Sequence, residues 1–169
     1  MATHDCIAAV SAALVAVLEE ALKAPGGLGG DVQLYTFQSL REPMPDGISV
    51  SLYRLQYDPT AWNRPVRPGE SGHRIAITAY YAVHAWSEVA LRQHQLLGLA
   101  AEVLARTPVL SDEFLNNHGP ARDVFAPGEV VTLVPETPSA AEGAGVPGTH
   151  GLSAPALLFA VRGLVFGAF

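Results

Sequence analysis

The residue types that do chemistry are present in this chain, but their spacing does not bring them together. Six histidines stand at His4, His73, His84, His94, His118 and His150, with no pair four apart and no H-E-x-x-H run. No local segment therefore presents two imidazole nitrogens to one metal ion. Cys6 is the single cysteine, which excludes an intramolecular disulfide and a cysteine-pair zinc site. Its Ala-rich setting suits a small packing residue better than a reactive thiol. No serine lies in a G-x-S-x-G turn that would expose a nucleophile beside a base. Glu19-Glu20 and Asp112-Glu113 are adjacent acids that point in different directions on a helix, the first a solvated face and the second a first-turn region.

Two glycine-rich runs look like phosphate loops and lack the context. Gly143-Ala144-Gly145-Val146-Pro147-Gly148 matches G-x-G-x-x-G by letters. It follows no strand, opens no helix, contains Pro147 and has no downstream acid to hold a ribose. Gly26-Gly27-Leu28-Gly29-Gly30 follows a helical stretch and lacks a Lys-Ser/Thr ending, so it reads as a helix stop. No catalytic, metal-binding or cofactor-binding residue is assigned, and no cofactor is expected. The competing reading is a small enzyme or ligand-binding domain, with His84 or His94 as general base in an apolar pocket between sheet and helix.

Composition sets the frame for these residues. The chain has 169 residues, 49% apolar and 15% charged, the balance of one domain over 1–169 with a core of its own. Ten basic residues against sixteen acidic ones give a net charge of −6, and no Lys/Arg run forms a phosphate-tracking stripe. Nucleic acid is not the expected partner. The apolar stretch from Cys6 to Leu18 has no basic flank before it and Glu19-Glu20 directly after it. It falls short of the roughly twenty residues that span a bilayer, so no membrane insertion is expected and synthesis is placed in the reducing cytoplasm.

The elements follow from periodicity. A helix runs from about Asp5, as cap or first-turn acid, to Lys23. Strands are read at Asp31–Phe37, Ile48–Tyr57, His73–Val83, Glu129–Val134 and Ala156–Phe166. Ile48, Val50 and Leu52 alternate with Ser49, Ser51 and Tyr53, and Ile75 to Val83 alternates likewise, so these two are expected to pair antiparallel. Trp86 to Arg106 carries a helical apolar stripe, with Glu88 and Arg92, and Glu102 and Arg106, at ion-pair spacing. The expected fold is α/β in the α+β sense: a mainly antiparallel central sheet of about four to five strands, flanked by an N-terminal helix and a long middle helix. Flexible excursions are expected at about 58–72 and 135–154, where proline and glycine accumulate.

Two features remain for a partner to use. The 58–72 arm carries Trp62, Arg64 and Arg67, residue types enriched at interface hot spots. The strand Ala156–Phe166 is nearly all apolar, which fits either an intermolecular contact, with Leu158 and Leu164 on it, or a wholly buried central strand.

The run Ile48-Ser49-Val50-Ser51-Leu52-Tyr53-Arg54-Leu55, the arm ending Asn63-Arg64-Pro65, the strand Ile75–Val83 and the helix Gln95–Leu104 leading into Thr107-Pro108-Val109-Leu110 resemble the tail-terminator (cap) proteins of extracellular contractile injection systems. These are phage-tail-like particles such as the antifeeding prophage and the Photorhabdus virulence cassettes. The resemblance implies a structural protein without enzymatic activity, a hexameric ring that ends inner-tube and sheath polymerisation at the distal end of the particle. It implies the inner-tube protein, the sheath protein and copies of the chain itself as partners, and a particle that stays in the cytoplasm or is released. It places Tyr53, Arg54, Asn63 and Arg64 in the stretch that matches best, while the Pro135–Ala154 tract departs from it. A phage neck or tail-completion protein is the alternative with the same physics.

Overall fold

The computed structural model describes residues 4–36, 44–58, 73–137 and 156–168. Helix α1 spans Cys6–Lys23 and is followed by β1 (Asp31–Tyr35), β2 (Asp46–Tyr57) and β3 (His73–Ser87). Helix α2 (Ala90–Arg106), the short strand β4 (Val109–Ser111), helix α3 (Asp112–His118), β5 (Val130–Pro135) and β6 (Ala156–Ala168) complete it. The sheet has six strands in the order β1-β2-β3-β6-β5-β4, antiparallel throughout except for the parallel pair β1 and β2.

The α+β class and the antiparallel β2–β3 pair agree with the sequence, whereas the strand count is six rather than four to five. The extra strand is β4, whose three residues are too few for alternation to register. A second correction concerns Trp86, which lies on β3 and not on the helix, because β3 runs on to Ser87 and α2 opens only at Ala90. Of the two readings left open for Ala156–Phe166, the buried central strand holds, since β6 sits between β3 and β5 inside the sheet. Its apolar sequence reflects burial as an interior strand, so it offers no free edge to a partner.

Helix α1 buries Ala9, Val10, Ala13, Leu14, Val17 and Leu18 against the sheet. Its small residues permit close approach, and each fully buried branched side chain contributes about 1.5–3 kcal/mol. The glycine run ends it as read: Gly26, Gly29 and Gly30 take positive φ, and the Gly29 amide donates to the Leu22 carbonyl at 3.0 Å. Asp5 occupies the N-cap position without a side-chain cap bond. Ser111 caps α3 by accepting from the Phe114 amide at 3.3 Å, with Asp112 and Glu113 in the first turn where the helix dipole favours them.

Long-range polar contacts tie these layers together. Arg92, rather than bonding Glu88, reaches Asp46 at the start of β2 at 2.9 Å and also donates to the Gly29 carbonyl at 3.0 Å. One guanidinium thus joins α2, β2 and the turn before β1, and its hydrogen bond holds the Asp46 carboxyl below the ordinary carboxylate range. The Glu102–Arg106 pair forms as its spacing predicts, at 2.6 Å.

Gly47 sits at the tightest point of the sheet. Its φ is +146°, and a Cβ there would collide with the backbone carbonyl oxygen of Asp31, its register partner, and come within 2.7 Å of Met44 Cε. Backbone cannot retreat as a flexible side chain can. Gly47→Ala is expected to destabilise the fold by about 2 kcal/mol or more, read as a lower urea midpoint at unchanged slope.

Candidate functional site

The strands present two unlike faces. Ile77, Ala79, Tyr81, Val83 and Ala85 of β3 belong to the core shared with the helices. Ala76, Tyr80, Ala82, His84 and Trp86 alternate with them and occupy the opposite face, which no helix covers among the described residues.

Two irregularities in the ladder decide which side chains reach that helix-free face. In β2 the register shifts between Leu52 and Arg54, where Leu52 pairs with Tyr81 and Arg54 with Tyr80. Tyr53 is the extra residue of this β-bulge, and the bulge turns Arg54 to the side that plain alternation denies it. Both then meet Tyr80: the Tyr53 and Tyr80 ring centroids are 6.1 Å apart, and the Arg54 guanidinium carbon lies 3.7 Å above the Tyr80 ring. Tyr80 donates its hydroxyl to Gln56 Oε1 at 2.9 Å, which fixes the ring under the cation.

The second irregularity lies opposite Thr78, where β6 passes from Val161, paired with Ala79, to Leu164, paired with Ile77. Gly163 takes φ +92° there, and a Cβ on it would stand 2.9 Å from the Val130 carbonyl oxygen. The extra residue reverses the facing of everything after it. Leu158 therefore packs with Ala82, Ala156 and Tyr53 on the helix-free face, whereas Leu164 is wholly buried in the helix-covered core. Leu164 has no surface to offer a partner.

Further along, the Trp86 indole N–H donates to Ser49 Oγ at 2.7 Å, and its ring stands 6.2 Å from Tyr35 and 6.0 Å from His84. His84 is only 4% exposed, and its Nδ1 has no hydrogen-bond partner among the described residues. Burial pulls its pKa below 6.5. It faces away from the helices, so it cannot serve a base role in a sheet–helix pocket, and His94 lies on the exposed side of α2. Cys6 is buried with its thiol pKa pushed up to about 11 by desolvation, the property of a packing residue.

The structure thus gathers Tyr53, Arg54 and Leu158 around Tyr80 and Ala82, and separates Leu164 from them. Trp62, Asn63, Arg64 and Arg67 lie outside the described residues. Sequence reasoning missed Tyr80, His84 and Trp86 as members of this face. Alternation did place Tyr80 opposite the Ile75 row, but Trp86 was assigned to the helix. Among the described residues no three His, Cys, Asp or Glu side chains cluster as metal ligands, and no helix is long and apolar enough to cross a membrane.

The described residues thus form a mixed six-stranded sheet with helices packed on one of its faces. The fold matches the PVC sheath/tube terminator in its extended state, from a cryo-EM structure of an extracellular contractile injection system, with a TM-score of 0.60 at 14% identity. The match covers 95% of this chain and 56% of that one, so the chain spans little more than half the length of that terminator. The model of the Pvc16 N-terminal domain matches residues 9–146, and the chain belongs to that family. No curated protein gives a significant sequence match. The family agrees with the resemblance carried by the β2 to α2 stretch.

His84 makes the helix-free face sensitive to acid. Its lowered pKa means the unfolded chain binds a proton first, so the contribution of neutral His84 is complete above pH 6.5 and is lost as pH falls below it toward the folded-state pKa. In thermal melts at stepped pH, His84→Gln is expected to lose less stability on acidification below pH 6.5 than the parent chain.

Proposed function

We propose that this protein is a structural cap of a contractile injection system. Six copies close into a ring at the distal end of the particle, where they terminate both the inner tube and the sheath. The observation that carries this reading is the fold likeness to a sheath/tube terminator over 95% of the chain, joined to membership of the Pvc16 N-terminal domain family. The partners are the inner-tube protein, the sheath protein and further copies of the chain. The protein is made in the cytoplasm and becomes part of the particle, in which residues 1–169 act as one terminator-like domain.

Ending a polymer is a problem of surfaces rather than of reaction chemistry. One side of the cap must match the last layer of subunits, and the other must repeat nothing that a further layer could recognise. A ring of identical subunits also needs two unlike patches related by a rotation that closes. Tyr53 and Arg54, both half-buried, offer aromatic and cationic contact at one place on the helix-free face, with buried Leu158 packed against Tyr53. Trp62, Asn63, Arg64 and Arg67, which follow β2 in the sequence, are the further candidates for this contact. No step in this role requires a general base, a metal or a cofactor.

Light scattering and negative-stain imaging test the reading directly, alone and with inner tubes added. The expected species is a closed ring of about 107 kDa, six copies of the 17.8 kDa chain, in free solution or on tube ends whose growth it stops. A monomer that neither binds tube ends nor changes tube length rejects it. Arg54→Ala is expected to weaken capping about tenfold, equivalent to about 1.4 kcal/mol, with the fold retained and a melting point lowered by the loss of the contact on Tyr80.

A further inference from the structure

The strand order leaves β1 and β4 at the two borders of one sheet among the described residues. Natural sheets commonly guard such borders with charges, and an unguarded border presents main-chain donors and acceptors to any passing strand. Here β4 reads Val-Leu-Ser and β1 reads Asp-Val-Gln-Leu-Tyr, with Asp31 at its first position the sole charge of the two strands. Both strands are short, so main-chain pairing alone would join them weakly.

Each border carries an apolar feature on the same side of the sheet, and the two differ in shape. At β1, Leu34 pairs in register with core-facing Val50, which puts it on the helix-covered side, and it is 54% exposed. At β4 there is a recess instead. A groove of about 590 Å³ opens beside the strand, walled by Val17 and Ala21 of α1, Val103 of α2 and Phe114 of α3. Glu20 and Arg106 stand at its border. A protruding leucine at one border and an apolar recess at the other are unlike surfaces, the requirement for a head-to-tail contact that repeats by rotation.

We infer that the β1 border of one copy joins the β4 border of the next, with Leu34 seated in the groove between α1, α2 and α3, so that the sheet continues from subunit to subunit around the ring. This contact rests on the ring reading and names the surface that closes it. Main-chain pairing sets the direction of the join, and side-chain fit supplies its specificity. Because both borders are used within the ring, the assembled cap exposes neither to a further subunit. The second copy is the occupant favoured here because the complementary border is carried by the same chain at equal concentration.

Gln33, paired with Ser49 on the helix-free side, is exposed, and Val109 is an exposed residue of β4 that lines the groove. Two samples in a Cys6→Ala background, one with Gln33→Cys and one with Val109→Cys, are mixed, with inner tubes present, and treated with a short bis-maleimide. Cross-linked dimer is expected from the mixture and from neither variant alone, and the double variant is expected to give a ladder ending at ring size. Leu34→Asp is expected to raise the protein concentration needed for assembly at least tenfold, with an unchanged melting profile, since Leu34 is exposed in the single chain. A ring that forms without the mixed cross-link overturns this contact and leaves the ring standing; a sheath strand on β4 would give that result. Absence of any ring by light scattering and imaging, with or without tubes, overturns the ring reading and this contact together.

Discussion

The Tyr81 hydroxyl lies 2.8 Å from Ser11 Oγ in the middle of the apolar layer between α1 and β3. Both hydroxyls also reach the Ile7 carbonyl of α1, Ser11 at 2.9 Å and Tyr81 at 3.3 Å, so one of them donates to that carbonyl while the other donates within the pair. Tyr81 is wholly buried, and desolvation pushes its pKa up to about 12, so it stays a neutral donor across the physiological range. A polar pair in such a layer is costly unless matched, and once matched it accepts one register only. The contact therefore sets how α1 lies across the middle of β3, the strand on which β2, β6 and α2 all pack.

With α1 in place, one face of β3 is committed to the helices and the other is left to the sheet's own side chains. Bulges then distribute residues between them. A single extra residue in β2 brings Arg54 over Tyr80, and a single extra residue in β6 sends Leu164 to the core while Leu158 stays on the helix-free side. Neither change needs an unusual side chain; each follows from the period of two along a strand.

This economy suits the contact role proposed above. Ten basic and sixteen acidic residues give a net charge of −6, which makes single copies mildly self-repelling. Assembly must then be driven by apolar fit and main-chain pairing. Aromatic residues bring large contact area at low entropy cost, and the Arg54 guanidinium is preorganised by Tyr80 before any partner arrives. The Arg92 bridge among α2, β2 and the Gly29 turn stiffens the sheet, as the proposed cap role requires.

Much of this was legible in the residues. The glycine run after Lys23 stops α1, the alternation in Ile48–Tyr57 and Ile75–Val83 marks an antiparallel pair, and the stretch from β2 to α2 carries the family resemblance. These are local signals, set by backbone freedom and by periods of two and 3.6 within one segment. Strand order is not local. Whether Ala156–Phe166 lies inside the sheet or at its border depends on how β3 and β5 close around it, and an apolar strand reads the same in either place. The facing of Arg54 and Leu164 depends on bulges that exist only once strands are paired. Composition and periodicity therefore determined the two long helices and five of the six strands; pairing decided which faces and borders a partner can reach, because register belongs to two strands at once and to neither alone.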